Sequence, residues 1–231
     1  MGHRMLANMT AHGGFNIARA WDPDHQVCEL VKQNYPEIKI SETAEDLVSD
    51  REIEVVYIAS PPASHHTHAL SAAAAGKAIY CEKPLAHTVQ EARIVQAEYN
   101  KRRDKLATQM GTQIHANDNY RRVVELVRSG AIGTVREAHV WCSRGIRPTG
   151  ETVLPAQDKP ADYHWDQFLG PANPRAYNSG YWKGGNLNWN RRWEFGNGVI
   201  GDMGSHLIDL PFWALSLRRP TSVWSQGPKP D

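Results

Sequence analysis

Short apolar segments alternate with helical segments along the first half of the sequence, and this alternation limits the possible folds more than any other feature. The apolar segments are rich in Val, Ile and Tyr, and turns containing Gly, Pro or Asp separate them from segments with helical spacing. The predicted strands are residues 15–21, 38–40, 55–59, 78–81 and 106–110. Strands that alternate with helices of about 10–15 residues predict βαβ units in a parallel sheet. Since crossovers are right-handed, the commonest arrangement that fits is an α/β, Rossmann-type doubly wound parallel sheet.

The predicted sheet lacks its usual first strand. A Rossmann unit opens with a strand, then Gly-x-Gly-x-x-Gly, then a helix whose N-terminus binds a pyrophosphate. Residues 1–6 have the pattern of the first turns of that helix, and Gly13 and Gly14 end it. Gly2 has the place of the third glycine, and Asp22 follows at the usual interval of about 20 residues. We expect the first strand and the first two glycines to lie upstream of residue 1.

The pattern changes near residue 116, which predicts a second domain. A helix at 119–128, an amphipathic strand at 135–143, a helix at 201–217 and the start of a strand at 221–224 are expected there. Between this strand and the helix at 201–217, residues 145–197 are dense in Gly, Pro, Asn, Trp and Tyr. Irregular segments of this length inside a compact protein are usually functional. The sequence therefore predicts domains at 1–115 and 116–231, the second an incomplete α+β domain.

Charge and cysteine content argue against several classes of protein. The chain has 26 basic and 25 acidic residues, so it lacks the clustered excess of one sign that nucleic-acid or polybasic membrane binding requires. Its three cysteines are widely spaced without a Cys-x-x-Cys pair, which fits a reducing compartment and neither a zinc site nor a disulfide framework. No apolar run approaches the roughly 18 residues that span a bilayer. We expect a cytoplasmic location, although an export signal upstream of residue 1 would change that.

Two local clusters carry chemistry. Glu82, Lys83 and Pro84 follow a predicted strand at the sheet edge where open α/β sheets bind ligands; the alternative is a surface ion pair on a loop. Asp202 and His206 lie four residues apart, with Asp209 three residues further on, so they would share one face of a helix. Carboxylates favour the charged imidazole of a general base, but a capping aspartate beside a core histidine remains open.

A third cluster, Ser64 to His68, contains three histidines. His65 and His68 share a helical face, His66 points elsewhere, and no cysteine or carboxylate lies at a useful spacing. We therefore predict no metal site there.

A set of short motifs follows in a fixed order along the chain. The set consists of Ser60-Pro61-Pro62 with His65, Glu82-Lys83-Pro84, Met110-Gly111-Thr112-Gln113, residues 130–135, and residues 196–198 through His206 and Asp209. This ordered set resembles the Gfo/Idh/MocA family of NAD(P)-dependent oxidoreductases. Residues 165–171 and 211–215 are similar to a bacterial subgroup with a tryptophan-rich substrate domain. The resemblance covers nearly the whole chain, and the order of the motifs is more specific than any one of them.

The resemblance implies hydride transfer between a nicotinamide cofactor and a hydroxyl of a sugar, cyclitol or related polyol. By position, Lys83, Asp202 and His206 match the family's catalytic lysine, aspartate and histidine. His206 would take the hydroxyl proton, Lys83 would hydrogen-bond the oxygen as it becomes a carbonyl, and Asp202 would orient the substrate and raise the basicity of His206.

The resemblance also implies a cofactor groove. Its expected residues are Gly2, Asp22, Ser60, Pro61, His65, Glu82, Lys83 and Gln113. Asp22 favours NAD because its carboxylate suits a free ribose 2′-hydroxyl, while Arg19 leaves NADP possible. Three further residues, Tyr177, Arg192 and Trp193, are candidates for the substrate pocket, with simple packing an equal alternative.

The family comparison leaves other functions open. Some relatives use tightly held NAD to cleave glycosides by transient oxidation, and such a protein would release a sugar without net NADH. A non-catalytic nucleotide- or sugar-binding protein on the same fold would bind ligand without turnover. Family members have a longer C-terminal half that commonly forms an oligomer interface. We therefore expect that this chain is shortened at both ends and that the full-length form is a homo-oligomer. One alternative is that the shortened chain is an inactive fragment.

Overall fold

The computed structural model describes residues 2–143, 153–170, 172–183, 188–192, 194–196 and 198–227. The chain divides into two compact units, which are Met1–Gly111 and Thr112–Asp231. The domain boundary between residues 115 and 116 stays a prediction.

Unit 1 alternates strands and helices as the sequence predicts. In chain order its elements are α1 (Gly2–His12), β1 (Arg19–Ala20), α2 (His25–Asn34), β2 (Lys39–Ile40), α3 (Ala44–Ser49), β3 (Val55–Ile58), α4 (Pro62–Ala74), β4 (Ala78–Glu82), α5 (Val89–Arg102) and β5 (Thr108–Gly111). All strand pairs are parallel, with β1 beside β2 and with β4 between β3 and β5. The α/β Rossmann-type class is confirmed, and the described strands form two sheets, one of two strands and one of three.

Side-chain caps fix where the helices of unit 1 begin. Asp24 accepts a hydrogen bond from the Gln26 amide at the start of α2, and Thr43 caps α3. At α5, the Thr88 hydroxyl accepts from the Glu91 amide while the Glu91 carboxylate accepts from the Thr88 amide, each at 3.1 Å. These bonds satisfy amides that have no partner within the helix.

The three-stranded sheet packs one face against α4. Alternate residues Val56 and Ile58 of β3 and Ile79 and Cys81 of β4 form that buried face. Small side chains of α4 meet it, and they are Ala69, Ala72 and Ala73. The nearly all-apolar sequence of residues 55–59 predicts a strand that is buried on both faces, and this prediction is wrong, because Val55 on the other face is 53% exposed. An apolar run by itself does not show how many faces of a strand are covered.

Unit 2 is helical and irregular in its described part. Its helices are α6 (Asp118–Arg128), α7 (Trp165–Leu169), α8 (Gly198–Leu207) and α9 (Asp209–Ala214), with single 3-10 turns at Ser179–Tyr181 and Trp189–Arg191. A cluster of aromatic side chains packs around the buried Trp165 and Tyr181. In the residues that the structure describes, no helix has the length and apolar character needed to cross a membrane.

Three predictions for unit 2 are wrong. The expected strands at 135–143 and 221–224 have no regular structure, and Trp141 and Trp224 are each 82% exposed. Alternating polarity marks a strand face, but a strand also needs a partner for its backbone groups. The expected single helix at 201–217 is two helices, because Pro211 has no N–H to donate to the Leu207 carbonyl, and α8 ends at Leu207.

The capping box of α5 gives a direct test of the fold. We expect Thr88→Ala to lower the free energy of unfolding by about 1 kcal/mol, because the Glu91 amide loses its acceptor. Urea unfolding followed by circular dichroism measures this change. The matched control is Thr67→Ala at an exposed position within α4, where the same substitution should leave stability equal or slightly raised. Equal losses at the two positions would contradict the capping role.

Candidate active-site residues

The carboxyl edge of the three-stranded sheet carries two of the predicted motifs. Strand β3 ends at Ile58 and leads into Ser60-Pro61, and β4 ends at Glu82 and leads into Lys83-Pro84. Because the two strands are parallel neighbours, both loops leave the sheet at the same edge. The peptide bond between Lys83 and Pro84 is cis. This is the edge at which open α/β sheets bind ligands.

Glu82 is held in place by residues on both neighbouring strands. The Tyr57 hydroxyl of β3 donates to Glu82 Oε1 at 2.5 Å. On the other side, Glu82 pairs in register with Gly111 of β5, and a Cβ on Gly111 would lie 2.6 Å from Glu82 Oε2. Burial and the hydrogen bond to Glu82 hold the pKa of Tyr57 far above its ordinary value, so the hydroxyl keeps its proton. The predicted groove residue therefore has its carboxylate engaged across the face of the sheet.

His65 contacts both loops at this edge. Its ring is buried, with Nδ1 2.6 Å from the Pro84 carbonyl oxygen and Nε2 2.7 Å from the Ser60 carbonyl oxygen. The other two histidines of the cluster point elsewhere, since His66 lies against Glu91 and His68 packs edge-on against Trp21. Within the described residues, no group of three His, Cys, Asp or Glu side chains is placed to bind a metal ion.

The start of α1 lies beside the end of β3. A Cβ added to Gly2 would be 3.7 Å from the Ala59 Cβ, so the first turn of α1 approaches the residue next to Ser60. The amides of a first helical turn attract anions. An anion-attracting helix start at the same edge as Ser60 and Lys83 fits a dinucleotide, with the pyrophosphate as the group that the helix would hold.

Asp22 and Arg19 have defined partners near the end of β1. Asp22 Oδ1 accepts from the Asp24 amide at 2.9 Å, which forms the turn into α2. The Arg19 guanidinium donates to the carboxylate of Asp50 and lies 3.4 Å from the Ser41 hydroxyl. Arg19 is therefore used within the fold, and the argument that it leaves room for a 2′-phosphate is weakened.

In unit 2, Asp202 and His206 lie four residues apart on α8, and His206 is buried. The Tyr120 hydroxyl of α6 donates to the His206 backbone carbonyl, which ties α8 to α6. Asp209 lies on α9, and its Oδ2 is 2.7 Å from His115 Nδ1. The expectation that one helix carries all three residues is therefore wrong, because α8 ends at Leu207 and Asp209 is the first residue of α9.

His115 makes a polar contact that no local sequence pattern predicts. It pairs with Asp209 and stacks on the Trp213 ring, with the centroids 4.3 Å apart. Its partner is 94 positions away in the sequence. Local spacing cannot reveal such a pair.

Gln113, a predicted groove residue, is exposed in the turn that precedes α6.

The predicted substrate residues lie in the aromatic cluster of unit 2. Tyr177 is buried and packs edge-on against Trp165, with the ring centroids 5.3 Å apart. Arg192 is also buried, and its guanidinium carbon is 4.7 Å from the centroid of the Tyr181 ring. Both placements agree with the alternative that these side chains pack within the domain and do not line a substrate pocket. Trp193 lies outside the described residues.

Comparison with known families matches both parts of the chain. A profile described as "Oxidoreductase family, NAD-binding Rossmann fold" matches residues 1–110, and the "C-terminal alpha/beta domain" profile of the same family matches residues 117–222. The chain belongs to the Gfo/Idh/MocA family. This membership agrees with the resemblance inferred from the ordered motifs.

Curated relatives of this chain include several inositol dehydrogenases. Inositol 2-dehydrogenase 3 of Saccharopolyspora erythraea is 37% identical over 115 residues, which is 49% of this chain and 33% of that protein. Inositol 2-dehydrogenase of Gluconacetobacter diazotrophicus is 30% identical over 155 residues, which is 66% of this chain and 42% of that protein. The chain thus spans between a third and about two fifths of the length of these relatives.

Solved structures with similarity to this chain include two bacterial dehydrogenases. One is myo-inositol dehydrogenase from Lactobacillus casei in complex with NAD(H) and myo-inositol, at 25% identity and a TM-score of 0.48, covering 51% of this chain and 34% of that one. Another is a probable dehydrogenase from Thermotoga maritima, at 21% identity and a TM-score of 0.47, covering 51% and 35% of the two chains.

The contact between Glu82 and Gly111 gives a second prediction. We expect Gly111→Ala to lower the free energy of unfolding by about 1–3 kcal/mol, because the new methyl group overlaps the Glu82 carboxylate. If that carboxylate is displaced, its hydrogen bond to Tyr57 is lost as well. Tyr57→Phe should then destabilise the wild-type chain by about 1.5–3 kcal/mol and the Gly111→Ala variant by much less. If the losses in the free energy of unfolding from the two substitutions are strictly additive, the methyl group at residue 111 does not displace the Glu82 carboxylate.

Asp50 gives a prediction about pH. The backbone amide of Glu52 and the guanidinium of Arg19 hold the pKa of Asp50 below its ordinary value of 3.8. A group whose pKa is lower in the folded state contributes stability above its unfolded pKa and loses it as the pH falls through the folded value. Asp50→Asn should therefore lower the unfolding midpoint at pH 7, and the difference should shrink as the pH falls below about 3.8.

Asp104→Asn is the control for this comparison, because the Asp104 side chain is 92% exposed. It should leave the unfolding midpoint unchanged at both pH values. A midpoint difference for Asp50→Asn that is as large at pH 3 as at pH 7 would show that the Asp50 charge does not stabilise the fold.

Proposed function

We propose that this chain acts as an NAD-dependent dehydrogenase on a ring hydroxyl of a cyclitol or a related sugar. The observation that carries the proposal is the edge of the three-stranded sheet, where Ser60-Pro61 and Glu82-Lys83 leave neighbouring parallel strands together. The start of α1 lies beside the same edge. Family membership and an edge that fits a dinucleotide support the same function.

Residues at this edge supply groups that suit the parts of NAD. The first-turn amides of α1 would hold the pyrophosphate, and Ser60 with Pro61 would form one wall of the groove. Asp22 follows β1 and would accept a hydrogen bond from a ribose hydroxyl. When bound, NAD supplies a nicotinamide ring that accepts a hydride.

Two features of unit 1 favour NAD over NADP. A carboxylate at Asp22 would repel a 2′-phosphate. Arg19, the cation that would counter this repulsion, donates instead to Asp50, and it lies within reach of the Ser41 hydroxyl. The family profile that matches unit 1 is itself described as NAD-binding.

The reaction also needs groups that take the hydroxyl proton and stabilise the charge on the substrate oxygen. We propose three residues for these roles. Lys83 would donate a hydrogen bond to the substrate oxygen and stabilise the charge that develops as the oxygen loses its proton. His206 would take that proton as general base. Asp202, one helical turn earlier on α8, would favour the protonated imidazole and so raise the basicity of His206.

Inositols are the first substrates to test, because the curated relatives at 37% and 30% identity are named inositol 2-dehydrogenases. A cyclitol presents several ring hydroxyls with the same local chemistry.

The direct test is formation of NADH, followed by absorbance, with NAD and a panel of inositols and sugars. We expect NADH from at least one cyclitol, with a much lower rate when NADP replaces NAD. His206→Asn should lower kcat about 10²–10⁴-fold, since it removes the general base, while the rise in unfolding temperature on adding NAD persists.

His139→Asn is the control, because His139 lies on an exposed segment of the same unit. It should leave the rate unchanged. NAD binding without turnover of any substrate would favour the non-catalytic alternative, and release of a sugar without net NADH would favour the glycoside-cleaving one. A chain that neither binds NAD nor turns over would contradict the proposal.

A further inference from the structure

His65 lies at the point where the two loops of the sheet edge meet. It belongs to the first turns of α4, and its side chain is 2% exposed. Its two ring nitrogens face opposite ways, one toward the Ser60 carbonyl and the other toward the Pro84 carbonyl, at 2.7 and 2.6 Å. One side chain therefore bridges the loop after β3 and the loop after β4.

The chemistry of this contact limits what His65 can do. A carbonyl oxygen only accepts hydrogen bonds, so a neutral imidazole donates to one of the two carbonyls and a protonated imidazole donates to both. In either state, both ring nitrogens are directed at the protein backbone. The ring offers no further polar atom to a dinucleotide, which argues against a direct cofactor contact by His65.

A second cross-link joins the same two strands. The Tyr57 hydroxyl of β3 donates to the Glu82 carboxylate at the end of β4. Lys83 is thus flanked on both sides, with the preceding side chain held by Tyr57 and the following carbonyl held by His65. The Ser64 hydroxyl at the start of α4 donates to the Ser60 hydroxyl at 2.8 Å, which adds a bond between this helix and the first loop.

We propose that His65 is a positioning residue, which fixes the backbone on both sides of the cofactor groove and thereby the direction in which Lys83 leaves the sheet. For the orientation of Lys83, the proposal rests on the NAD-dependent function proposed above, but the bridge itself consists only of protein groups. It assigns to His65 a role in holding the groove together, in place of the contact with the cofactor that the family resemblance implies.

The test compares three variants of the chain. His65→Leu removes both ring nitrogens, and His65→Gln restores a side-chain donor of similar reach. Val48→Ala is the matched control, because Val48 is buried in the same apolar cluster of unit 1 as α4 and lies outside both loops. Unfolding midpoints are measured first, and all later measurements are made at a temperature at which every variant is folded.

The first readout needs no cofactor. Amide hydrogen exchange at Ser64 and His87 should be at least tenfold faster in His65→Leu than in the wild type, because these amides are hydrogen-bonded beside the two loops, to the Pro61 carbonyl and to the Glu91 carboxylate. It should be close to wild type in His65→Gln and in Val48→Ala, although Val48→Ala unfolds at a lower temperature. Unchanged exchange in a folded His65→Leu variant would overturn the proposal, and so would equal acceleration in the Val48→Ala control.

The second readout is the Kd for NAD, measured by calorimetry. We expect His65→Leu to raise the Kd at least tenfold, His65→Gln to recover most of the affinity, and Val48→Ala to stay within twofold of wild type. A Kd for NAD that is the same in His65→Leu as in the wild type would overturn the positioning role. A wild-type chain that binds no NAD would instead contradict the proposed function, while the exchange measurement would still decide whether His65 holds the loops.

Discussion

The backbone ladder that joins β3, β4 and β5 brings Ile58 beside Cys81 and Glu82 beside Gly111. This parallel register decides which side chains can meet at the carboxyl edge of the sheet. A shift of one residue would turn Glu82 to the buried face, where Cys81 now packs against α4, and would leave a carboxylate among apolar side chains. The requirement that apolar groups be buried therefore also places the polar residues of the candidate site.

Polar groups at this edge are used largely to restrain one another. Tyr57 holds Glu82, and His65 joins two backbone carbonyls. Half-buried polar groups need such partners, because a donor or acceptor that is shielded from water and has no hydrogen bond lowers the free energy of unfolding. The same bonds reduce the number of conformations that the loops can adopt, so a ligand meets an edge whose shape is already defined.

The sequence was sufficient for the fold of unit 1, because strand and helix periods there are local and strong. Ser41 and Thr43 are both of a residue type and position that predict a cap before α3; Thr43 supplies this cap, and Ser41 is buried instead. The sequence failed where structure depends on distant partners. The pair of His115 and Asp209 joins residues 94 positions apart, and the segment at 135–143 has the alternation of a strand without strand pairing. The break before α9, in contrast, was readable from Pro211.

The position of His65 depends on the packing of α4. Ala69 lies one turn after His65 on that helix, and Ala72 and Ala73 follow on the same buried side. Because these side chains are small, the helix axis comes close to the strands, and an imidazole one turn earlier reaches the carbonyls of Ser60 and Pro84. Larger side chains in place of the alanines would move α4 outward, and the ring would lose contact with both carbonyls even if the helix itself remained folded. An alanine-rich face, which taken alone indicates only helix propensity, is therefore part of what holds the groove together.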